Sequence, residues 1–227
     1  MTIYGELSDA IEHGVAGRIT EWAYTVLDDV ASGRRSVAAV RHPLGFLCLP
    51  VHRHGDEGIC IHVWGRRWSP ATLTTSPAHC HSWELLSWVL AGQLHNQIVR
   101  VIDDRESPTH RVFAVASSAA GDMIRTTDRL VRHEIETTST HRARQRYRLS
   151  AGVFHQTVVP DDEELVATIA LGRTMVGVSD QSLGGLDTAD HRVRREQCDA
   201  RDTIEAAAAV RDAVAGCGTL SLQHNSC

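Results

Sequence analysis

Residues 78–86 read AHCHSWELL, and residues 152–155 read GVFH. Two histidines placed two positions apart on an extended strand point to the same face, with Cα atoms about 6.5–7 Å apart. Imidazoles at that separation can converge on one ion. A third histidine on a distant strand completes a facial set of ligands, which is the arrangement an open catalytic metal needs. We therefore predict a metal site formed by His79, His81 and His155 on a β scaffold.

The residues between and around these two segments alternate between apolar and polar side chains, as half-buried strands do. We predict eight strands, at 45–51, 58–64, 79–90, 93–103, 109–118, 129–140, 145–159 and 165–173. Many short strands with few helices among them favour an antiparallel β-barrel or jelly roll. The predicted fold is therefore mainly β.

Both ends of the chain show a different, helical periodicity. Apolar residues recur at helical spacing through residues 4–32, with interruptions at Gly14 and Gly17 that leave one or two helices open. A second helix is predicted within 194–215. We thus expect an N-terminal helical segment at 1–40, a β-barrel with the metal site at 41–175, and a loop with a C-terminal helix packed on the barrel at 176–227.

Strand alternation also sorts the other candidate site residues. If His79 and His81 face inward, Trp83 and Leu85 do so too, and Glu84 becomes a fourth ligand only if a β-bulge turns it inward. On strand 145–159, an inward His155 brings Tyr147 to the same side. The remaining polar candidates for the barrel lining are His62, His95 and Gln97. Of these, Tyr147 and His95 are the candidates for supplying a proton to the substrate.

Composition excludes several classes of protein. The net charge of −5 provides no basic field for a phosphate backbone, so nucleic acid is not an expected partner. No apolar run approaches the roughly 20 residues that cross a bilayer. The chain contains no lysine, which excludes Schiff-base chemistry. Six cysteines without a C-x-x-C pair, and an N-terminus without a signal-peptide pattern, favour reduced thiols and a cytoplasmic location.

Taken together, these motifs resemble those of the cupin superfamily, over about residues 42–175. The first cupin motif, H-x-H followed by Glu and Gly, is matched by His79, His81, Glu84 and Gly92, with Glu84 one or two positions earlier than is usual. The second motif is matched by Gly152 and His155, with Ser150 in place of the usual proline and Val159 in place of the usual asparagine. The resemblance implies a cupin-type barrel with a metal in its mouth. It also implies a homodimer formed through barrel edges as one option.

The resemblance implies an oxygenase. A site of three histidines is similar to that of cupin thiol dioxygenases, and a retained glutamate is similar to that of the ring-cleaving cupin dioxygenases. Both branches imply Fe(II), O₂ and a small-molecule substrate, here in bacterial specialised metabolism. One alternative keeps the metal, as Zn²⁺, Ni²⁺ or Mn²⁺, and makes the protein an isomerase, lyase or hydrolase. A second alternative is a small-molecule-binding cupin without catalysis.

Overall fold

Two antiparallel β-sheets and three α-helices make up the part of the chain that the computed structural model describes, residues 2–68, 71–118 and 121–223. The helices are α1 (Ile3–Glu12), α2 (Ala16–Ala31) and α3 (Ala200–Gln223). The strands are β1 (Val40–Arg41), β2 (Leu47–His54), β3 (Glu57–Gly65), β4 (His79–Cys80), β5 (Trp83–Ala91), β6 (Gln93–Asp103), β7 (His110–Ser118), β8 (Gly121–Arg142), β9 (Arg146–Leu149), β10 (His155–Val158), β11 (Leu165–Thr174), β12 (Asp180–Gly184), β13 (His191–Val193) and β14 (Glu196–Gln197).

The two sheets have seven strands each. Sheet A has the order β14-β1-β2-β3-β11-β5-β9, and sheet B has the order β13-β8-β6-β10-β4-β12-β7. In sheet B, β7 pairs with β12 and also with β8, so that six of its strands close into a ring. The long strand β8 makes this possible, because one half pairs with β7 and the other half with β6.

The helices cover one face of sheet A. Apolar residues of all three helices form one cluster with alternate residues of four strands, namely Leu47, Leu49, Val51, Ile59, Ile61, Val63, Leu86, Trp88, Leu90, Ala167, Ile169 and Leu171. The turn between α1 and α2 contains Gly14 at φ +66°, a left-handed conformation that favours glycine. The N-terminal segment is therefore two helices, and Gly17 lies inside the second.

The other face of sheet A looks toward sheet B. Two small apolar clusters bridge the sheets there, one containing Leu85, Leu149, Ala170 and Ile98, the other containing Val89, Val166 and Leu94. We call this space, between the inner faces of the two sheets, the inter-sheet interior. A separate cluster is contributed by residues on or beside strands of the ring: Ala78, Cys80, Val99, Val112, Val131, Phe154 and Leu183.

This architecture confirms the predicted mainly β fold, an antiparallel, jelly-roll-like arrangement with helices at both ends. All eight predicted strands are present, although 79–90 is broken at Ser82 and 145–159 is broken between β9 and β10. Strands β12, β13 and β14 follow residue 175, where the sequence pattern indicated a loop, and residues 224–227 of the predicted C-terminal segment lie outside the described residues. Among the described helices, none is both long and apolar enough to span a lipid bilayer.

Candidate metal centre

Three histidines converge at one end of the inter-sheet interior. His79 lies on β4 and is directly paired with His155 at the start of β10, and His81 lies just after β4. Their ring centroids are 4.4 Å apart for His79 and His155, 4.7 Å for His79 and His81, and 5.0 Å for His81 and His155. One ring nitrogen from each residue lies within 4.8 Å of the other two. The structure thus brings together the three histidines that the sequence spacing selects.

The neighbours of these histidines hold their strands in place. Ala78, Cys80 and Phe154 alternate with the histidines along the chain and point the other way, into the apolar cluster of the ring. All three are buried. Because side chains alternate along a strand, packing these residues into the ring directs His79, His81 and His155 into the inter-sheet interior. The same alternation that predicts the site therefore positions it.

Hydrogen bonds to backbone carbonyls orient two of the three imidazoles. Nδ1 of His79 lies 2.7 Å from the carbonyl oxygen of Pro77, and Nδ1 of His155 lies 3.0 Å from that of Val153. A carbonyl accepts, so each Nδ1 carries the proton and each Nε2 has a free lone pair. Imidazoles that bind metals are usually oriented by such a bond to the second nitrogen.

The separation of two of the outer nitrogens tests whether a metal fits. Nε2 of His79 and Nε2 of His81 are 3.2 Å apart. Two nitrogens bound to one ion at about 2.0–2.1 Å each lie about 2.9–3.4 Å apart at octahedral to tetrahedral angles. The observed distance falls within that range, so the donor set fits a transition-metal ion without rearrangement of this pair.

Burial keeps the three imidazoles uncharged. Desolvation, with the adjacent His155, lowers the pKa of His79 to about 3. Desolvation also lowers the pKa of His81, with further contributions from His79 and His155, and it lowers the pKa of His155. Neutral imidazoles are the form that binds metals. At neutral pH the site therefore presents three uncharged nitrogen donors.

An aromatic side chain forms one wall of the centre. The indole of Trp83 stacks on the ring of His81, with centroids 4.0 Å apart and planes 18° from parallel. Gly172 on β11 makes room for it, because a Cβ at that position would lie 2.9 Å from Cε3 of Trp83. Trp83 and Ile98 both pack against the apolar cluster that contains Leu85, so the centre has an apolar flank.

Glu84 does not reach the centre. It is paired with Arg173 on β11 and shares a strand face with Leu86 and Trp88, which pack against the helices. Burial raises the pKa of Tyr4 in α1, and the negative charge of Glu84 adds to that rise, which places the carboxylate near the helix side of sheet A. No bulge turns Glu84 inward, because β5 pairs regularly with β11 from Trp83 to Val89, and the register shift of this pair lies beyond Val89.

The two proton-transfer candidates lie on different faces. Tyr147 faces the inter-sheet interior on the same side as Trp83 and is paired with Ser87 across β5 and β9, and burial raises its pKa, so its hydroxyl is protonated. His95 lies on the opposite face of sheet B, where its Nδ1 is 2.9 Å from the hydroxyl of Thr140. Gln97 lies on that face as well and bonds to Gln156. The buried neighbours Leu94 and Asn96 occupy the inner face, which is why the odd-numbered residues of this part of β6 point away from the site.

Sequence reasoning missed several polar groups of the interior. Within the described ranges, Oδ1 of Asn96 and Oγ1 of Thr168 are buried and have no hydrogen-bond partner. His62 was among the predicted lining residues, but the structure also brings Cys48 and Cys60 to it, with the potential ligand atoms of all three within 4.8 Å of one another. The sequence feature that could have indicated Cys48 is its position between Leu47 and Leu49. Both leucines face the helices, so Cys48 faces inward.

Comparisons with known proteins add little to these observations. No protein-family model matches the chain, and no curated protein matches it in sequence. Among solved structures, the chain is similar to hydroquinone 1,2-dioxygenase PnpCD in complex with Cd²⁺ and 4-hydroxybenzonitrile, at 9% identity and a TM-score of 0.32. The match covers 57% of this chain and 64% of that one, which is less than two thirds of the length of the dioxygenase chain.

Proposed function

We propose that this chain is a metal-dependent oxygenase in which His79, His81 and His155 hold Fe(II) and a small molecule is oxidised with O₂. The observation that carries the proposal is the convergence of three neutral imidazoles with an apolar flank beside them, two of which, His79 and His155, have Nδ1 held by a backbone carbonyl. Three ligands leave further coordination positions open. Iron, when bound, supplies the electron transfer that lets dioxygen react with a spin-paired organic molecule.

The residues around the centre have separate roles in this proposal. Trp83, Leu85 and Ile98 form an apolar surface that excludes water from the reacting atoms. Ile98 on β6 pairs with His155. Asn96 lies two residues before Ile98 on the same inner face of the strand. Its unpaired Oδ1 is an acceptor, so a substrate with a hydroxyl or amine donor satisfies it.

Tyr147 is the proton carrier of this proposal. Oγ of Ser87, on the strand position paired with Tyr147, donates its proton to the carbonyl oxygen of Ile169 at 3.0 Å, so towards a phenol it is an acceptor. Burial raises the pKa of Tyr147 and so keeps the phenol in its protonated form inside the interior. A substrate with an acceptor atom beside this hydroxyl can receive the phenol proton.

The test is oxygen consumption. Protein purified without oxygen and loaded with Fe(II) is mixed with panels of thiols, dihydroxybenzenes and heterocycles, and O₂ uptake is followed with an electrode. We expect uptake with at least one class, a loss of at least 100-fold in His155→Ala, and no loss in His95→Ala, which removes an imidazole on the opposite sheet face. Equal uptake by wild type and His155→Ala would contradict the proposal.

A second candidate function follows from the ligand set itself. The centre contains no carboxylate among its described ligands, and three neutral histidines are also the ligand set of catalytic zinc sites. A Lewis-acid isomerase, lyase or hydrolase is therefore the alternative. Metal analysis of the protein as purified separates the two, because iron with oxygen-dependent turnover supports the oxygenase and zinc with oxygen-independent turnover supports the alternative.

A further inference from the structure

A second cluster of potential ligands lies on sheet A, outside the histidine centre. Cys48 on β2 is directly opposite His62 on β3, and Cys60 lies two residues from His62 on the same face. The residues that alternate with these three along β2 and β3 all pack against the helices, namely Leu47, Leu49, Ile59, Ile61 and Val63. By alternation, both thiols and the imidazole therefore face the inter-sheet interior.

The ends of the three side chains lie close together. The potential ligand atoms, Sγ of Cys48, Sγ of Cys60 and a ring nitrogen of His62, all lie within 4.8 Å of one another. In a tetrahedral zinc site, with Zn–S of about 2.3 Å and Zn–N of about 2.0–2.1 Å, ligand atoms are about 3.3–3.8 Å apart. An ion needs to draw the side chains together by only about 1 Å. Both cysteines are free thiols in the structure.

Neighbouring groups favour a ligand over simple packing. The ring of His62 is held by Phe46, with centroids 4.3 Å apart, and by Trp64 at 6.0 Å, so its orientation is restricted. Thr168 on β11 is directly opposite His62 and fully buried, yet its Oγ1 has no partner among the described residues. Buried hydroxyls usually have a hydrogen-bond partner, so Oγ1 of Thr168 is suited to bond a group held in the interior.

We propose that Cys48, Cys60 and His62 form a second metal site, which binds Zn²⁺ or a similar transition-metal ion independently of the histidine centre. Two thiolates and an imidazole are soft and borderline donors, which select Zn²⁺ over Mg²⁺, Ca²⁺ or Mn²⁺. The fourth position of the ion faces the inter-sheet interior. A water molecule bound there donates to Oγ1 of Thr168 and satisfies it.

The two sites share one interior and are chemically distinct. Desolvation and then His79 and His155 are the main causes of the lowered pKa of His81, and His42 and His62 add smaller contributions. The two clusters are therefore near enough to interact electrostatically. One site offers only nitrogen and the other offers mainly sulfur. The protein is therefore expected to bind two ions, and to lose each one separately.

Cobalt titration tests the proposal, because Co²⁺ bound by thiolate has a charge-transfer band in the near ultraviolet. Metal-free, reduced protein is titrated anaerobically with Co²⁺, and we expect two equivalents and a thiolate band. Cys48→Ser and Cys60→Ser are expected to bind one equivalent without the band. His155→Ala is expected to lose the other equivalent and keep the band, so a failure of the histidine centre is seen separately. Cys198→Ser, which removes a buried thiol elsewhere, is the matched control and keeps both.

A single equivalent without the thiolate band in the wild type would overturn the proposal, as would a band that survives both cysteine variants. If the variants do not fold, alkylation of the wild type decides. Zn²⁺ is expected to protect Cys48 and Cys60 from iodoacetamide at least tenfold relative to chelator-treated protein, as mapped by peptide mass spectrometry. Equal labelling with and without Zn²⁺, or a Cys48–Cys60 disulfide under the anaerobic conditions, contradicts it.

Discussion

Two buried threonines differ in what their hydroxyls contact, and their substitution by valine is expected to have opposite effects. Oγ1 of Thr168 has no partner among the described residues. Oγ1 of Thr203 donates to the carbonyl oxygen of Asp199 at 3.0 Å and accepts from the backbone N–H of Ala39 at 3.3 Å. Burying an unpaired polar group costs about 1–3 kcal/mol, whereas a formed hydrogen bond stabilises by about 1 kcal/mol.

In metal-free protein, Thr168→Val is therefore expected to raise the free energy of unfolding by about 1 kcal/mol, and Thr203→Val to lower it by about 1–2 kcal/mol. Urea unfolding followed by circular dichroism measures both changes. The two residues are matched in type and burial, so the comparison isolates the hydrogen bonds. A loss of stability in Thr168→Val as large as that in Thr203→Val would show that the first hydroxyl is already satisfied.

At the scale of elements, the strand that carries the histidine pair changes sheet at Ser82. The backbone N–H of Ser82 donates to the carboxylate of Asp180 on β12, and the carbonyl oxygen of Ser82 accepts from Met175 at 2.8 Å. This corner lets β4 belong to sheet B while β5 belongs to sheet A. Asp180→Ala is expected to destabilise the protein by about 1–3 kcal/mol by leaving the amide unpaired, whereas Asp180→Asn keeps an acceptor and most of the stability. Equal loss in both variants would assign the role to charge instead.

The close packing of Trp83 on Gly172 couples β5 to β11. A methyl group at position 172 would meet the indole at 2.9 Å. Gly172→Ala is therefore expected to displace Trp83 from His81 and to lower the free energy of unfolding by about 1–3 kcal/mol, the range typical of overpacking. Near-ultraviolet circular dichroism reports the indole and denaturant unfolding reports the stability.

The control for this variant is Gly17→Ala in α2, where nothing lies within 4 Å of the added carbon. Alanine there is expected to stabilise the helix by up to about 1 kcal/mol. Similar destabilisation by both substitutions would mean that the contact with Trp83 is not the cause.

Alternation predicted much of the site because it is a local property. The inward direction of His79, His81, Trp83 and Tyr147 follows from the residues beside them in sequence. The direction of His95 could not be predicted in this way, because residues 93–97 read QLHNQ and only Leu94 distinguishes the faces. The meeting of Cys48 with His62 depends on the register of β2 against β3, and short strands such as β13 exist only through their partners.

For the molecule as a whole, sheet B is packed on both faces in the region of the histidines. The ring cluster lies behind β4 and β10, and the inter-sheet interior lies in front of them. The metal centre is therefore formed by parts of the core that fold together. An ion bound to all three histidines links β4, the Ser82 corner and β10, so its binding energy is expected to stabilise the entire fold.

Metal addition is thus expected to raise the melting temperature. Ligand at 100 times its Kd adds about 2.7 kcal/mol, which for a domain of this size corresponds to about 5–10 °C. The measurement is differential scanning calorimetry of Cys60→Ser protein, in which only the histidine centre retains its full ligand set, with chelator and with Zn²⁺. Adding His155→Ala is expected to abolish the shift, while adding His95→Ala is expected to preserve it. An undiminished shift without His155 would mean that the stabilising ion binds elsewhere, because that imidazole is the only ligand contributed by β10.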